Sequence, residues 1–361
     1  MLTRRAFTTS LASVGVTMLS VHRSTAQSLP TIRLGNAAGI IDPQLIFMTM
    51  GQHPKIDYYK QEGCALDIIN MSGSGQTMQA IIAGHVETSS LAPIAYLPVF
   101  AKNPNVDVVY VYAWLRSPHW GVAVKPDSPI KSLQDLKGKN IGIRNKGDTG
   151  YFGAVGMLKE IGMDPDKDVE WISVDQGGPA GDALYRGRVD AMAFWDGGFA
   201  RIETAGFKLR YLPNSPGMQQ LFGQAYCIRR SDFKKNRDVY VRFFRAMAKS
   251  TVFAYADTDL AIKLHWDLYP ETKPKGKSDQ EAMADARVVV NSRRDKWMPA
   301  PWQSDKRFGA MNADEWRAQL KFLGLEGTVQ NVDPIFSTDI IDDVNNFDRD
   351  KVLALVKTLS T

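Results

Sequence analysis

Short apolar runs alternate with longer stretches of helical periodicity through the first two thirds of the chain. Runs rich in Val, Ile and Leu are typical of buried parallel strands, and the segments between them have the spacing of amphipathic helices. This alternation predicts an α/β fold. The predicted strands cover residues 32–35, 65–71, 86–91, 107–114, 121–124, 141–144, 169–174, 190–195, 208–212 and 225–228.

The pattern changes after residue 236. Long amphipathic helices are predicted over residues 239–256, 260–268 and 315–323, and residues 271–278 read as a solvated loop. The apolar stripes of these helices indicate core packing rather than a cofactor site. We expect them to form a helical C-terminal block that docks onto the first lobe.

One short pattern occurs twice, once in each half of the α/β region. Residues 80–87 and 183–190 both have the form Ala-x-x-x-Gly-x-Val-acid. Each copy predicts the last turn of a helix, a glycine suited to the left-handed position after it, and a buried strand. Two such units suggest two similar lobes. Because ligands bind beyond the carboxyl ends of strands in open α/β sheets, facing lobes imply a ligand-binding cleft.

The first 26 residues resemble an export signal. Arg4 and Arg5 precede a modest apolar run at 11–21, and the small residues Ser24 and Ala26 suit a cleavage point before residue 27. The run is too short for a stable membrane span. The sequence therefore predicts a periplasmic protein that is exported through the twin-arginine route.

Charge and composition narrow the possible partners. The 361-residue chain carries a formal charge of +5, which becomes +2 without the three arginines of the leader. A charge this small, with no basic block, argues against a nucleic-acid partner. Cys64 and Cys227 are interpreted as two independent buried thiols, and the histidines show no metal-ligand spacing. No cofactor and no metal are predicted.

Three segments resemble a known family. Residues 132–165 (SLQDLKGKNIGIRNKGDTGYFGAVGMLKEIGMDP), 183–212 and 80–93 are similar to signature segments of periplasmic solute-binding proteins of the nitrate, sulfonate and taurine ABC-transporter group. That group shares its fold with thiamine-pyrimidine-synthase-like proteins. The resemblance covers most of residues 31–260.

This resemblance implies a two-lobe periplasmic-binding-protein fold with two interlobe crossovers. Lobe I would comprise residues 27–116 and 233–361, with the C-terminal helices, and lobe II residues 117–232. The implied function is capture of a small organic ligand by interlobe closure. The protein would be a non-catalytic monomer that delivers its ligand to an ABC permease with a cytoplasmic ATPase, because the chain itself lacks a phosphate-binding loop of the ATPase type.

Candidate ligand-binding residues follow the strands of both lobes. Strand-to-helix loops place free backbone N–H groups where an anionic or carbonyl oxygen binds. Ser74 could instead cap its helix, a role that is compatible with binding, and binding is the favoured interpretation. Trp195 could stack on a flat ligand and Arg116 could fork around a carboxylate or sulfonate. The candidates are Gly39, Ile40, Asp42, Ser72, Ser74, Gln76, Ser89, Ser90, Trp114, Arg116, Asp148, Thr149, Tyr151, Trp195 and Asp196.

The charges of these candidates point in opposite directions. Helix N-termini and Arg116 favour an anion, whereas Asp42, Asp148 and Asp196 favour a cation or a heterocyclic donor. The ligand class therefore stays open among sulfonates, carboxylates and heterocyclic compounds. Two other functions stay open as well: a thiamine-pyrimidine-synthase-like enzyme, although the chain lacks that family's Cys-rich run, and a two-lobe sensor that would differ only in its partner.

Overall fold

The computed structural model describes residues 29–301 and 303–361, so the predicted leader lies outside the described residues. The strands form two mixed sheets of five. In chain order they are β1 (Thr31–Asn36), β2 (Ala65–Asn70), β3 (Thr88–Leu91), β4 (Val109–Leu115), β5 (Trp120–Val124), β6 (Lys139–Ile143), β7 (Val169–Ser173), β8 (Ala191–Trp195), β9 (Arg210–Tyr211) and β10 (Gln224–Ile228).

Helices flank both sheets and make up the C-terminal region. Short 3-10 turns occur at Pro43–Leu45, Met50–Gln52, Gln134–Leu136, Pro270–Thr272 and Asp295–Trp297. The α-helices are α1 (Ile46–Thr49), α2 (Tyr58–Gln61), α3 (Gly73–Ala83), α4 (Pro93–Lys102), α5 (Thr149–Glu160), α6 (Gly178–Tyr185), α7 (Asp196–Thr204), α8 (Pro216–Gln219), α9 (Arg230–Ala256), α10 (Thr258–Leu268), α11 (Asp279–Arg294), α12 (Ala313–Phe322), α13 (Ile341–Asn345) and α14 (Arg349–Ser360).

The two sheets have the same topology. Their strand orders are β2-β1-β3-β10-β4 and β7-β6-β8-β5-β9, with three parallel strands at one side and antiparallel pairing of the fourth. The chain passes from the first sheet to the second between β4 and β5, and returns between β9 and β10. The predicted α/β fold with two lobes and two crossovers is therefore confirmed.

Strand β10 belongs to the first sheet, although it lies within the residue range expected for lobe II. Although residues 224–228 fall within the range assigned to lobe II, β10 is hydrogen-bonded between β3 and β4 of the first sheet. The division at 116/117 and 232/233 itself stays a prediction.

The repeated pattern has the same geometry in both lobes. Gly84 and Gly187 adopt positive φ angles of 78° and 73° at the ends of α3 and α6. The acids that follow accept equivalent hydrogen bonds: Glu87 from the backbone N–H of Arg33 at 2.8 Å, and Asp190 from that of Asn140 at 2.9 Å. The prediction that this repeat marks two equivalent lobes is confirmed.

Three parts of the helical prediction differ from the structure. The sequence pattern predicts a helical region over residues 44–60, but the structure divides this region into short helices. Gly51 packs closely here, since a Cβ at this position would lie 2.6 Å from Ser250 Oγ. Helix α9 begins at Arg230, and α11 was not predicted. A capping box of Ser278 and Glu281 starts α11, and this is the local signal that could have revealed it.

The C-terminal helices contact both lobes. Helix α9 packs its aromatic face into the core beside β4, as the prediction of docking onto the first lobe requires. However, Phe322 of α12 belongs to the hydrophobic core of the second sheet, and α11 packs against α7. The C-terminal block therefore also connects the two lobes.

Candidate ligand-binding site

A small cavity lies between the two lobes, at the carboxyl ends of the first parallel strands. Its volume is about 60 Å³. On one side the walls come from β1 and the two residues after it, the turn before α1, α1 itself, the start of α3, and residues within β3, β4, β10 and α11. On the other side they come from the start of α5 and the end of β8. The lining residues are Leu34, Gly35, Asn36, Ala37, Ala38, Leu45, Phe47, Met48, Gly73, Ser74, Ser90, Trp114, Asp148, Thr149, Trp195, Gln224, Tyr226 and Arg293.

The N-termini of two long helices, one from each lobe, contribute to this cavity. Helix α3 begins at Gly73 and α5 at Thr149, and both residues line the cavity. Gly73 has a φ of 84°, and a Cβ there would lie 3.1 Å from the carbonyl oxygen of Gly147, so the lobes approach closely at this point. The first amides of a helix lack partners within it and carry partial positive charge. Gly73 N–H already donates to the Ala37 carbonyl and Gly150 N–H to Asp148 Oδ1. The N–H groups of Ser74 and Thr149 are therefore the donors that each lobe offers to an oxygen-rich group.

Ser74 has a free hydroxyl in the cavity wall. It is only 2% exposed, and its Oγ has no hydrogen-bond partner within the described structure. A buried polar atom without a partner carries a free-energy cost unless a ligand or solvent satisfies it. The alternative that Ser74 only caps its helix is not what the geometry shows, since the N-cap position is Ser72.

Aromatic rings form the apolar wall of the cavity. The rings of Phe47 and Trp114 stack with their centroids 4.2 Å apart. The Arg293 guanidinium lies over the Trp114 ring, 5.5 Å from its centroid. The Trp114 indole N–H donates to Ser90 Oγ, which in turn donates to Gln224 Oε1 at 2.7 Å. These bonds fix the orientation of the Trp114 ring. Trp195 contributes a further buried ring from the second lobe.

The three predicted acids are all engaged by arginines. Asp42 binds Arg201 of α7 at 2.5 Å, and Asp148 lies 3.2 Å from Arg144. Burial raises the pKa of Asp148, and Arg144 offsets this only in part.

Asp196 lies in a buried ion-pair cluster. Arg293 contacts Asp196 Oδ1 at 2.5 Å and Lys296 contacts Oδ2 at 3.1 Å. Burial by itself would raise the pKa of Asp196, but the two cations together hold that pKa well below its ordinary value. Because all three carboxylates already have partners, their attraction for a ligand cation is largely neutralised.

Several candidate residues lie outside the cavity. Gly39, Ser72 and Gln76 line a larger, open outer pocket of about 870 Å³ at the cleft mouth. Ile40 is exposed, and Ser89 Oγ donates to the Gly35 carbonyl within the sheet.

Arg116 and Tyr151 have structural partners elsewhere. The Arg116 guanidinium is buried beside Glu315 of α12 at 3.5 Å, and the Tyr151 ring packs edge-on against Trp171. The structure therefore brings together Ser74, Ser90, Trp114, Asp148, Thr149 and Trp195 in the cavity, and leaves the other candidates around or away from it.

The residues that sequence reasoning missed include Phe47, Gln224, Tyr226 and Arg293, which line the cavity, and Arg144, which contacts its lining. Gln224 and Tyr226 stand on β10, whose membership of the first sheet had no local signal. Arg293 stands on α11, for which the capping box was the available signal.

The two cysteines do not line the cavity. Cys64 and Cys227 are both free and buried, as expected for independent thiols. Within the described ranges, no cluster of three His, Cys, Asp or Glu side chains could hold a metal ion. None of the helices in residues 29–301 and 303–361 combines the length and apolar character of a membrane span.

Comparison with known proteins gives one family and many similar folds. A family model described as NMT1/THI5 like matches residues 47–261, whereas no curated protein matches the chain. The alkanesulfonate-binding protein SsuA from Xanthomonas axonopodis pv. citri, bound to MOPS, is 18% identical with a TM-score of 0.60, and the match covers 88% of this chain and 99% of that one.

Two further structures show the functional range of this fold. The periplasmic aliphatic sulphonate binding protein SsuA from Escherichia coli is 20% identical with a TM-score of 0.58, over 83% of this chain and 93% of that one. The desulfurization enzyme DSZB is 15% identical with a TM-score of 0.54, over 88% of this chain and 99% of that one. The fold therefore occurs in binding proteins and in an enzyme.

Proposed function

The chain belongs to the NMT1/THI5-like family, and on that premise we propose that it is a solute-binding protein that captures a small organic anion between its two lobes. The observation that carries this proposal is the cavity itself. Helix N-termini and a tryptophan from different lobes contribute to one space, so a ligand there contacts both lobes at once. A ligand that contacts both lobes binds the closed arrangement of the lobes more tightly than an open one, and this difference in affinity stabilises the closed arrangement.

The electrostatics of the cavity favour an anion over a cation. The carboxylates of Asp42, Asp148 and Asp196 are paired with arginines. The Ser74 hydroxyl and the backbone N–H groups of Ser74 and Thr149 have no partner among the described residues and remain as donors. The aromatic wall suits an apolar body attached to the anionic group. Sulfonates and carboxylates therefore fit better than heterocyclic amines, and the similar SsuA structures are named for sulfonate binding.

Binding without catalysis is favoured by the position of the thiols. The DSZB structure shows that this fold supports an enzyme, and a mutant of that enzyme forms a complex with biphenyl-2-sulfinic acid. In the present chain, burial raises the pKa of Cys64 to about 12 and that of Cys227 further, and neither residue lines the cavity. A thiol held protonated in a hydrophobic core is a poor nucleophile.

The proposed partners and location follow from the same role. The protein would be exported through its twin-arginine leader, act in the periplasm as a monomer, and deliver its ligand to an ABC permease with a cytoplasmic ATPase. N-terminal sequencing of the secreted protein should find residue 27 first. Loss of growth on the identified ligand when the permease gene is deleted would distinguish an importer from a sensor.

A binding screen tests the central proposal. Thermal shift followed by calorimetry should find at least one binder among small sulfonates, with MOPS and ethanesulfonate included, and small carboxylates, since binding only to the folded state raises the melting temperature. Absence of any hit in both classes would contradict the proposal.

A pair of serine variants then tests the location. Ser74→Ala should weaken binding of the best ligand roughly tenfold to a hundredfold, the usual effect of removing a hydrogen bond to a charged group. Ser215→Ala is the matched control, because Ser215 is equally buried and also lacks a partner for its Oγ but lies outside the cavity. Equal affinity of the two variants would show that the ligand binds elsewhere.

A further inference from the structure

The cleft contains two adjacent spaces, the inner cavity and the outer pocket. The inner cavity of about 60 Å³ is smaller and less open than the outer pocket of about 870 Å³. Consecutive residues fall on opposite sides of the boundary: Ala38 lines the inner cavity and Gly39 the outer pocket, and Gly73 lines the inner cavity and Ser72 the outer pocket. The boundary between the two spaces is therefore thin.

Arg144 occupies this boundary. It follows β6 in the second lobe, and its guanidinium donates to the carbonyl oxygens of Ala38 at 2.9 Å and Ala37 at 3.1 Å in the first lobe. The guanidinium also lies 5.3 Å from the ring centroid of Trp195 and 3.2 Å from Asp148. All four of these partners line the inner cavity, while Arg144 itself lines the outer pocket.

The side chain is held firmly in this position. Only 7% of it is exposed, and its contacts combine two hydrogen bonds, one ion pair and an aromatic face. It also lies close to Gly73, where a Cβ would be 3.3 Å from the Arg144 Nη2. The absence of a side chain at Gly73 leaves the room that the guanidinium occupies.

We propose that Arg144 is a partition that limits the length of the ligand. This inference rests on the proposed function, since it assumes that an organic anion binds in the inner cavity. With the partition in place, a ligand must fit within the inner cavity. Without it, an apolar tail extends from the inner cavity into the outer pocket, past Asn70, Met71 and Gln76.

A second role of Arg144 has to be separated from the first. Because Arg144 joins the lobes, its removal also weakens closure, and this lowers the affinity for every ligand by a common factor. A partition acts differently, since its removal changes the ratio of affinities between long and short ligands. The ratio is therefore the quantity to measure.

The experiment uses straight-chain alkanesulfonates from methanesulfonate to octanesulfonate, titrated calorimetrically into the wild type and into Arg144→Ala. For the wild type, we expect affinity to stop rising once the chain fills the inner cavity. For Arg144→Ala, affinity should continue to rise by roughly fourfold for each further buried methylene, so the ratio of hexane- to butanesulfonate affinity increases on the order of tenfold. Arg144→Gln, which retains a donor, should show a smaller increase in that ratio.

Asp42→Asn is the matched control. It removes the ion pair with Arg201 between the lobes, but Asp42 lines neither space, so all chain lengths should weaken by the same factor. Unchanged ratios in both folded Arg144 variants, with short sulfonates still binding the wild type, would overturn the partition and leave the proposed function intact. Failure of every sulfonate to bind the wild type would overturn this inference together with the sulfonate part of the proposed function.

Discussion

Replacement of Asp196 by asparagine tests the energetic role of the charge cluster beside the cavity. Asp196 is the first residue of α7, and its side chain is 10% exposed, while that of its partner Arg293 on α11 is 6% exposed. Its carboxylate also accepts from the Gly197 N–H at 2.7 Å and from Lys296 Nζ at 3.1 Å. Asn keeps the volume and one acceptor, but it turns an NH₂ group toward the Lys296 ammonium and leaves the Arg293 charge buried without its counter-ion.

We expect Asp196→Asn to lower the free energy of unfolding by about 3–5 kcal/mol, the usual cost of removing one partner from a buried ion pair. Asp182→Asn is the matched control, because the Asp182–Arg186 pair lies in the same lobe with side chains 49% and 79% exposed. An exposed pair contributes about 0–1 kcal/mol. Urea unfolding followed by circular dichroism measures both variants.

The pH dependence gives a second readout of the same cluster. The folded-state pKa of Asp196 is depressed, so the unfolded chain takes up the proton first as the pH falls. The contribution of the carboxylate is therefore complete above its ordinary pKa of 3.8 and decreases below that value. The difference between wild type and Asp196→Asn should be constant from about pH 5 to 8 and should shrink below about pH 4. An Asp196→Asn cost no larger than that of Asp182→Asn would refute the reasoning.

Two further predictions concern buried titratable groups away from the cavity. Burial lowers the pKa of His265 from 6.5 to about 4. Between pH 6.5 and about pH 4 the unfolded chain therefore binds a proton that the folded chain does not. The free energy of unfolding should fall by about 3 kcal/mol as the pH decreases through this range. His265→Gln, which can retain the contact with Thr49, should remove this dependence in urea titrations at pH 7, 5.5 and 4; an unchanged slope would contradict the assignment. Burial also raises the pKa of Cys64 and Cys227, and a thiol reagent should modify neither until denaturant unfolds the chain, whereas rapid labelling of the native protein would show that these cores open.

Much of the fold could be predicted from the sequence because the patterns that specify helix ends and strands are local. The spacing of Ala80, Gly84 and Val86 specifies a helix end and a strand within a few residues, and the second copy specifies the same unit again. Ser74, Asp148 and Thr149 could be placed at the cleft for the same reason, since a strand-to-helix loop lies at the carboxyl edge of its sheet. Their positions need only local geometry and the sheet.

The availability of the polar groups at the site depends instead on ion pairs between residues that are remote in the sequence. Asp42 and Asp196 look like free ligand acceptors along the sequence, but Arg201 and Arg293, which are 159 and 97 residues away, reach them when the chain folds. The sequence by itself determined that there are two repeated α/β lobes with polar loops between them. Only the tertiary structure decided which polar groups remain available to a ligand, because charge pairing depends on distances of a few ångströms between residues that are remote in the chain.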